Sequence, residues 1–569
     1  MSSELSNLIC TLRPDGREVD YLRYGSGHLH GMLLDKERLI DVERDNNHRE
    51  IARHWAQTML QTTIYDEAGR LAQQHIQSGQ YVKQSILQRD YHYDGANQLT
   101  GIKDSRKGEL SYQYDPLGRL LKANGPLGEE RFSFDPAHNL LSKSDAQSSH
   151  YTPDNTLPSG VSKVVGNLLK RISGYHFDYD ARGNLTRKES HKGIQTFSWD
   201  AHNQLTRSTS FSSATEPKLC TDYLYDVFGR RIAKRVVDEH RHTVIEQTLY
   251  DWEGLTIASE ERIGQQLGKH AANPGRDWQN APTLALNVQY LYEDGQFVPL
   301  AQYINSSDGQ AELLSSRVWQ AELAEETQAA PKLYHYVCDH LGTPQLLMNQ
   351  GQEVVWEAKA KAWGETRVMS RSATDEQVIN NHRFQGQYYD AETSLHYNTF
   401  RYYDPELGRF ISQDPIGLMG GINLYQYAPN PVEWVDPWGW KRLSIFNGRR
   451  GVLKAIHDLE RNGYAVIAEE VTMKVNNSRI RADIVASDGN GGIHVFEVKH
   501  GEGRLTKNQK KAKVFDMDSP SNTCERGGGS LRPSQGRDSD FILDTRNRRG
   551  LGNKGQKFKD TAFHILKYR

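Results

Sequence analysis

The sequence predicts a mostly β protein of stacked hairpins that is followed by a small α/β domain at its C-terminal end. A short unit, aromatic-Asp-x-x-Gly/Asn-x-Leu, recurs along the first half of the chain, and the pattern of the sequence changes after Trp440. The composition agrees, because 48 glycines and 9% aromatic residues suit a protein rich in turns and strands. A hydrophobic content of 37% is low for a single globular core.

The recurring unit has the chemistry of a β-hairpin. Its Asp can accept hydrogen bonds from the backbone that follows, and its Gly or Asn tolerates a positive φ. Alternating runs such as LSYQY place aromatic side chains on one face of a strand. Stacked hairpins bury a face that one hairpin cannot, so the repeats predict a long coiled sheet, with a sugar-binding β-solenoid as the rival interpretation. Copies of the unit begin at Tyr65, Tyr93, Tyr114, Phe134, Tyr179, Trp199, Tyr225 and Tyr250.

The stretch 401–440 carries many fixed pieces within forty residues. It reads RYYDPELGRFISQDPIGLMGGINLYQYAPNPVEWVDPWGW. This segment resembles the core of the Rhs/YD-repeat family, whose members carry a variable toxin directly behind it. The resemblance implies a spiralling β-sheet closed into a hollow shell that encloses the C-terminal domain. We therefore expect a repeat shell over 1–330, the family core over 331–440 and a toxin domain over 441–569.

Asp414 and Asp436 each begin an Asp-Pro-x-Gly turn. Turn formation alone explains such a pattern. Two carboxylates that lie close together in a closed shell cannot easily both ionise, so one would serve as an acid while the other activates water. The resemblance implies that the chain cuts itself between Trp440 and Lys441, and we expect Arg409 to orient a carboxylate or to polarise the scissile carbonyl.

The last 129 residues predict a helix over 452–459, strands at 464–468, 471–475, 479–486 and 493–499, and a basic helix from about 506. Glu497 follows Asp483 by fourteen positions and precedes Lys499 by two. This pattern is similar to the signature of PD-(D/E)xK nucleases. Residues two apart on a strand share a face, and a turn at 487–492 would bring the two carboxylates together.

Two carboxylates on adjacent strands predict a site for Mg²⁺ or Mn²⁺, with Lys499 positioning the attacking water or neutralising developing charge. Gln509 on the next helix and Glu460 on the first are weaker additions to this site. The plain alternative is an exposed Glu-x-Lys ion pair, since that motif is common. The charge favours a nucleic-acid partner, because 441–569 carries a net +11 while 1–440 carries −13.

DNA is the expected substrate. An RNase of the same fold, another toxin chemistry such as a transferase, or a non-enzymatic surface-interaction protein with a basic tail are the alternatives. The sequence begins with no secretory signal pattern and contains no apolar run long enough to cross a membrane. We expect synthesis in the cytoplasm, export through a secretion machine and action in the cytoplasm of a target cell. The resemblance implies an immunity protein, a type VI secretion spike and a chaperone as partners.

Overall fold

The computed structural model describes most of the chain, and the statements below refer to that part alone. It covers residues 9–13, 15–24, 28–46, 49–55, 59–79, 84–141, 163–172, 174–211, 219–238, 243–265, 283–293, 296–307, 332–371, 378–419, 421–439, 443–444, 455, 459, 462–488, 492–500, 505, 507–516, 520–521, 537–544 and 555–568. The prediction of a mostly β protein is confirmed, since 63% of the residues are in strands and 2% in helices.

The first large sheet has twelve strands in the described part of the chain, and they lie side by side in chain order. Neighbouring strands are antiparallel, for example the strands that pair Ser111 with Asn124. The strands of this sheet are β1 (Cys10–Leu12), β2 (Glu18–Tyr24), β3 (His28–Leu34), β4 (Glu37–Arg44), β5 (Glu50–Trp55), β6 (Met59–Tyr65), β7 (Leu71–Ser78), β8 (Gln84–Tyr93), β9 (Leu99–Asp104), β10 (Gly108–Tyr114), β11 (Leu120–Gly125) and β12 (Gly128–Arg131). A separate pair follows, β13 (Ser133–Phe134) and β14 (Leu140–Leu141).

The second large sheet has sixteen described strands, again in chain order. They are β15 (Lys163–Val165), β16 (Leu168–Ile172), β17 (Tyr175–Tyr179), β18 (Leu185–Ser190), β19 (Gly193–Trp199), β20 (Leu205–Phe211), β21 (Leu219–Tyr225), β22 (Arg231–Asp238), β23 (Thr243–Glu253), β24 (Thr256–Gln265), β25 (Thr283–Tyr292), β26 (Pro299–Ser307), β27 (Lys332–Cys338), β28 (Pro344–Asn349), β29 (Val354–Ala360) and β30 (Thr366–Arg371). Both sheets are therefore long meanders, as stacked hairpins require.

The side chain of the aspartate closes the turn in every copy of the unit except that at Tyr250, where Asp251 lies within β23 and accepts a hydrogen bond from Ser259 instead. The backbone N–H groups of Leu117 and Arg119 both donate to Asp115 Oδ1 at 2.9 Å, and Arg119 Nε donates to Oδ2 at 2.6 Å. Gly118 takes a positive φ of 78° in this turn. Burial raises the pKa of Asp115, but the hydrogen bonds and charge of Arg119 outweigh it, so the pKa is lowered. The same turn, with Arg or Asn at its fifth position, recurs at Asp66, Asp135, Asp180 and Asp226.

In three of the units the aromatic residue donates a hydrogen bond to the preceding unit. Tyr114 donates from its hydroxyl to the carbonyl of Leu99 at 2.6 Å, and Tyr225 donates to the carbonyl of Leu205 at 2.8 Å. Each acceptor is the leucine that ends the preceding unit. Trp199 does the same toward Leu185 through its indole N–H, at 2.7 Å. The repeat motif thus specifies both the turn and the joint between neighbouring hairpins.

A compact segment follows the second sheet and packs against it. It contains a four-stranded sheet, a 3₁₀ turn at Gly417–Met419 and a two-stranded pair. Its polar groups satisfy backbone donors of the repeats, since the N–H of Leu185 bonds the carbonyl of Ile411 at 2.9 Å. Its strands are β31 (Tyr388–Asp390), β32 (Leu395–Asn398), β33 (Arg401–Asp404), β34 (Arg409–Phe410), β35 (Trp434–Val435) and β36 (Leu443–Ser444).

The last part of the chain forms a closed five-stranded barrel in the order β37-β38-β39-β41-β40. Its strands are β37 (Ala465–Val475), β38 (Ser478–Ser487), β39 (Ile493–His500), β40 (Arg537–Leu543) and β41 (Lys557–Tyr568), and its helix is α1 (Lys507–Ala512). The strands β39 and β41 are parallel. The two predicted strands at 464–468 and 471–475 are one strand, β37, with a register shift between Val466 and Ala468. The nuclease-like α/β fold of this domain stays a prediction.

The chain folds as two compact units, Met1–Arg89 with Ser444–Arg569, and Asp90–Leu443. The limits at 330 and 440 that the sequence suggests stay predictions. In the barrel, the side chains of β39 alternate between two buried clusters. One cluster contains Val495 with Phe563 and Ile565, and the other contains Phe496 and Val498. This alternation decides which polar side chains of β39 can meet.

Candidate functional site

The structure brings Asp483, Glu497 and Lys499 together, as the sequence predicts. The register that pairs Ile484 with Phe496 places Asp483 on β38 beside Glu497 on β39. Asp483 Oδ2 accepts a hydrogen bond from the backbone N–H of Val498 at 2.7 Å. Lys499 donates from Nζ to Glu497 Oε1, so both side chains lie on one face of β39, as residues two apart must.

Glu497 is almost completely buried, with 3% of its surface exposed. Burial raises the pKa of its carboxyl to about 7, and the nearby charge of Asp483 adds to that rise. The ammonium of Lys499 and the amide of Gln509 act in the opposite direction. Gln509, on α1, is itself 3% exposed, so the predicted glutamine does reach the site. The plain alternative of an exposed ion pair is therefore wrong for Glu497.

The residues present fit a divalent cation. Glu497 Oε2 is buried and accepts no hydrogen bond from the described residues, and Asp483 supplies a second carboxylate beside it. Mg²⁺ is commonly bound by one or two carboxylates together with water and substrate phosphate. A cation next to Glu497 would favour its ionised form, which burial opposes. The predicted additional ligand, Glu460, lies outside the described residues.

A second polar cluster, which the sequence did not reveal, lies on the other face of β39. Ser521 Oγ and His564 Nδ1 are 2.9 Å apart, His564 Nε2 and His494 Nδ1 are 3.0 Å apart, and His494 Nε2 lies 3.3 Å from Asp488 Oδ2. Burial, followed by the neighbouring His494, lowers the pKa of His564 to about 3. The chain of hydrogen bonds ties β39 and β41 to the turn before β39. The sequence contains one signal for this arrangement. His494 and Glu497 are three positions apart on a strand, so their side chains point to opposite faces.

The predicted carboxylates Asp414 and Asp436 also come together, and an arginine joins them. Arg401 Nη2 lies 3.0 Å from Asp436 Oδ2 and 3.5 Å from Asp414 Oδ2. The same arginine donates from Nε to the carbonyl of Gly439. Asp436 is fully buried and Asp414 is 9% exposed. The predicted scissile bond, Trp440–Lys441, lies outside the described residues.

Arg409 is not brought to these carboxylates, and Arg401 is the arginine that contacts both of them. Arg409 donates to the carbonyl of Asn167 at 2.5 Å and to Asn139 Oδ1 at 3.4 Å, and its guanidinium lies 4.9 Å from the ring centre of Tyr425. Both arginines belong to the same motif, on the adjacent strands β33 and β34. The sequence could not choose between them, because the choice depends on which strand faces the second aspartate.

Two family models match the chain. One, described as Teneurin YD-shell, covers residues 28–250, and the other, described as RHS protein, covers 333–369. A double-stranded DNA deaminase toxin A of Burkholderia cenocepacia is 34% identical over 449 residues, which are 77% of this chain and 28% of that protein. This chain carries an Rhs/YD-repeat core.

Other comparisons agree with an Rhs core. A probable deoxyribonuclease RhsA of Dickeya dadantii is 28% identical over 446 residues, which are 75% of this chain and 26% of that protein. A Tc holotoxin pore of Photorhabdus luminescens aligns at a TM-score of 0.59 and 20% identity, over 77% of this chain and 21% of that chain, and so supports the fold alone. The chain spans under a third of the length of these two curated relatives. No helix in the described part of the chain is long and apolar enough to cross a bilayer.

The buried Glu497 predicts a stability that depends on pH and on metal. The pKa of Glu497 in the folded protein is about 7, above the ordinary value of 4.5. Burial of the protonated carboxyl therefore contributes its full free energy of unfolding below pH 4.5, and this contribution is lost as the pH rises through 7. In EDTA, wild-type 441–569 should therefore lose roughly 3 kcal/mol relative to Glu497→Gln between pH 4.5 and pH 8. Urea unfolding at both pH values measures this difference.

Mg²⁺ at pH 8 should raise the free energy of unfolding of the wild type and leave Glu497→Gln unchanged. Asp538→Asn, which changes an exposed carboxylate on β40, serves as the matched control and should follow the wild type in both experiments. A difference between wild type and Glu497→Gln that does not change with pH would contradict a buried carboxyl with a raised pKa.

Proposed function

We propose that this chain is an antibacterial Rhs effector whose β shell frees, by self-cleavage after Trp440, a C-terminal metal-dependent DNase. The observation that carries the nuclease is the convergence of Asp483, Glu497, Lys499 and Gln509 on one face of β38, β39 and α1. Relatives named as a DNA deaminase toxin and a probable deoxyribonuclease support DNA as the substrate. The net charge of +11 after Trp440 supports a polyanionic substrate.

In the proposed reaction, Asp483 and Glu497 hold Mg²⁺ or Mn²⁺. A bound metal ion would lower the pKa of the attacking water and would stabilise negative charge on the phosphate. Lys499 already lies against Glu497, where its ammonium can position that water or neutralise the charge that develops on the phosphate. The amide of Gln509 interacts with the carboxylate of Glu497 and, like Lys499, favours its ionised form.

The proposed self-cleavage uses Asp414 and Asp436. One of the two carboxylates beside this guanidinium would carry a proton and act as acid, while the other would activate water. Arg401 also holds the carbonyl of Gly439, which fixes the chain one residue before the bond that would be cut. Since this arginine contacts both the acids and the backbone, we assign it as the positioning residue.

The remaining parts of the account are proposals as well. An immunity protein would block the toxin in the producing cell, and a type VI secretion spike with a chaperone would deliver it to the cytoplasm of a target cell. The immunity protein is required because the producing cell also contains DNA, which the toxin would otherwise cleave. RNA cleavage by the same residues is the second outcome that the nuclease experiment below can give.

The nuclease proposal is tested with 441–569 as wild type, Asp483→Asn and Glu497→Gln, with plasmid DNA and total RNA. The wild type should degrade DNA with Mg²⁺ and not with EDTA, and both variants should lose at least about 100-fold in rate, because each removes a metal ligand. Asp538→Asn should keep full activity. Degradation of RNA alone would favour the RNase, and a fold-intact wild type that degrades neither would exclude a nuclease.

The assignment of Arg401 is tested on the full chain by the appearance of the 441–569 fragment on a gel. Arg401→Lys should abolish cleavage, because an ammonium cannot bridge two carboxylates and a carbonyl as a guanidinium does. Arg409→Lys should still cut, since that side chain contacts Asn139 and Asn167 instead. Circular dichroism checks that both variants fold. Cleavage by folded Arg401→Lys, together with its loss in folded Arg409→Lys, would reverse the assignment.

A further inference from the structure

We propose that Lys510 and Lys511 of α1, continued by Lys513, form a phosphate-binding surface that holds a nucleic-acid backbone beside Asp483 and Glu497. The inference deepens the proposed nuclease function and rests on it for the position of the substrate. It adds a binding surface and a recognition mode, which is contact with the backbone rather than with the bases.

The helix α1 has one face toward the candidate metal site and one toward solvent. Gln509 and Ala512 are buried, at 3% and 0% exposure, and the amide of Gln509 interacts with Glu497. Lys510, Lys511 and Lys513 are exposed. Lys510 and Lys511 follow Gln509 directly, so their Cα atoms lie only about 1.5 and 3 Å farther along the axis of α1, while their side chains point to other sides of the helix.

These three lysines have no ion-pair partner among the residues that the structure describes. Other cations of the same barrel do, since Arg479 pairs with Asp544 at 2.8 Å and Arg537 pairs with Asp516 at 2.5 Å. Asp516, the carboxylate that follows the lysines in the chain, is thus engaged by Arg537. Three ammonium groups within four residues repel one another in the absence of an anion, and a phosphate backbone would remove that repulsion.

The chemistry of this surface indicates backbone contact without base reading. Lysine is a flexible point charge suited to single phosphate oxygens, and α1 presents no aromatic side chain on which a base could stack. The competing explanation is structural. Lysines in the last turn of a helix favour its negative end, and exposed lysines are commonly only solvated. Salt dependence of binding separates the two explanations, because only phosphate contact releases counterions.

The test uses the full chain with Glu497→Gln, so that binding is measured without cleavage, on a short labelled duplex and the matching single strand. The double change Lys510→Ala/Lys511→Ala preserves the helix, since alanine is the strongest helix former. Lys513 is left intact because it lies outside α1 and has a positive φ of 57°, so the helix argument does not apply to it. Relative to the Glu497→Gln parent, the magnitude of the slope of log binding constant against log salt concentration should decrease by roughly 1.8 on the duplex and roughly 1.4 on the single strand.

The matched control is Lys557→Ala/Lys559→Ala, which removes the same charge from exposed positions of β41. Ile565 lies beside Glu497 in the parallel pair, so Lys557 is roughly 26 Å farther along the strand. This control should leave the slope unchanged. Equal slopes for the parent and the α1 variant, or equal losses in both double variants, would overturn the proposal. A smaller slope for the α1 variant, together with a chain with Glu497 intact that cuts no nucleic acid, would refute the nuclease while the binding surface stands.

Discussion

The aspartate turn is the interaction on which most of this fold depends. In the turn at Asp115, and in those like it, one carboxylate accepts two backbone N–H groups and the side chain of the fifth residue, so that a single residue satisfies a whole turn. The aromatic residue before it then donates to the carbonyl that ends the previous unit. Both contacts join residues that are close in the sequence. They fix the turn and the pairing of neighbouring hairpins, so a sheet of sixteen described strands forms in chain order without contacts between distant repeats.

The pair at Asp414 and Asp436 is built from the same kind of turn. The N–H of Ile416 donates to Asp414 Oδ1 at 3.1 Å and that of Gly417 to its carbonyl at 2.8 Å, which matches the contacts of Asp115. The difference lies at the fifth position. Asp115 has Arg119 at that position, whereas Asp414 has Leu418. Asp414 Oδ2 therefore has no guanidinium within its own turn and lies near Arg401 instead. A turn that is structural in the repeats thereby leaves a carboxylate available for chemistry in the core.

The last domain depends on strand alternation. Glu497 and Lys499 face one cluster of buried residues, while His494 and Phe496 face another, so two polar networks share one strand without meeting. On the first face, burial favours the protonated form of Glu497 and a cation would favour the ionised form. That opposition would link cation binding, pH and stability on this face of the barrel.

The sequence predicts what short-range rules decide. The repeat turns, the β class and the meeting of Asp483 with Glu497 follow from spacing and turn chemistry, whereas the meeting of Asp414 with Asp436 is expected from the closed shell that the family resemblance implies. The choice of Arg401 over Arg409 depends on long-range packing between β33 and the turn at Asp436, which no local pattern encodes. The sequence did not predict the network of Ser521, His564, His494 and Asp488 for the same reason, since Ser521 and His564 are 43 positions apart in the chain.

The most direct test of this account restores the missing turn partner. In the full chain, Leu418→Arg places a guanidinium at the fifth position of the Asp414 turn, where Arg119 stands in the Asp115 turn. This arginine should compete with Arg401 for Asp414, so that the 441–569 fragment appears much more slowly while the circular dichroism spectrum is unchanged. Leu117→Arg adds the same charge at an exposed turn and should cut at the normal rate. Normal cleavage by folded Leu418→Arg would contradict the claim that the freed carboxylate of Asp414 performs the reaction.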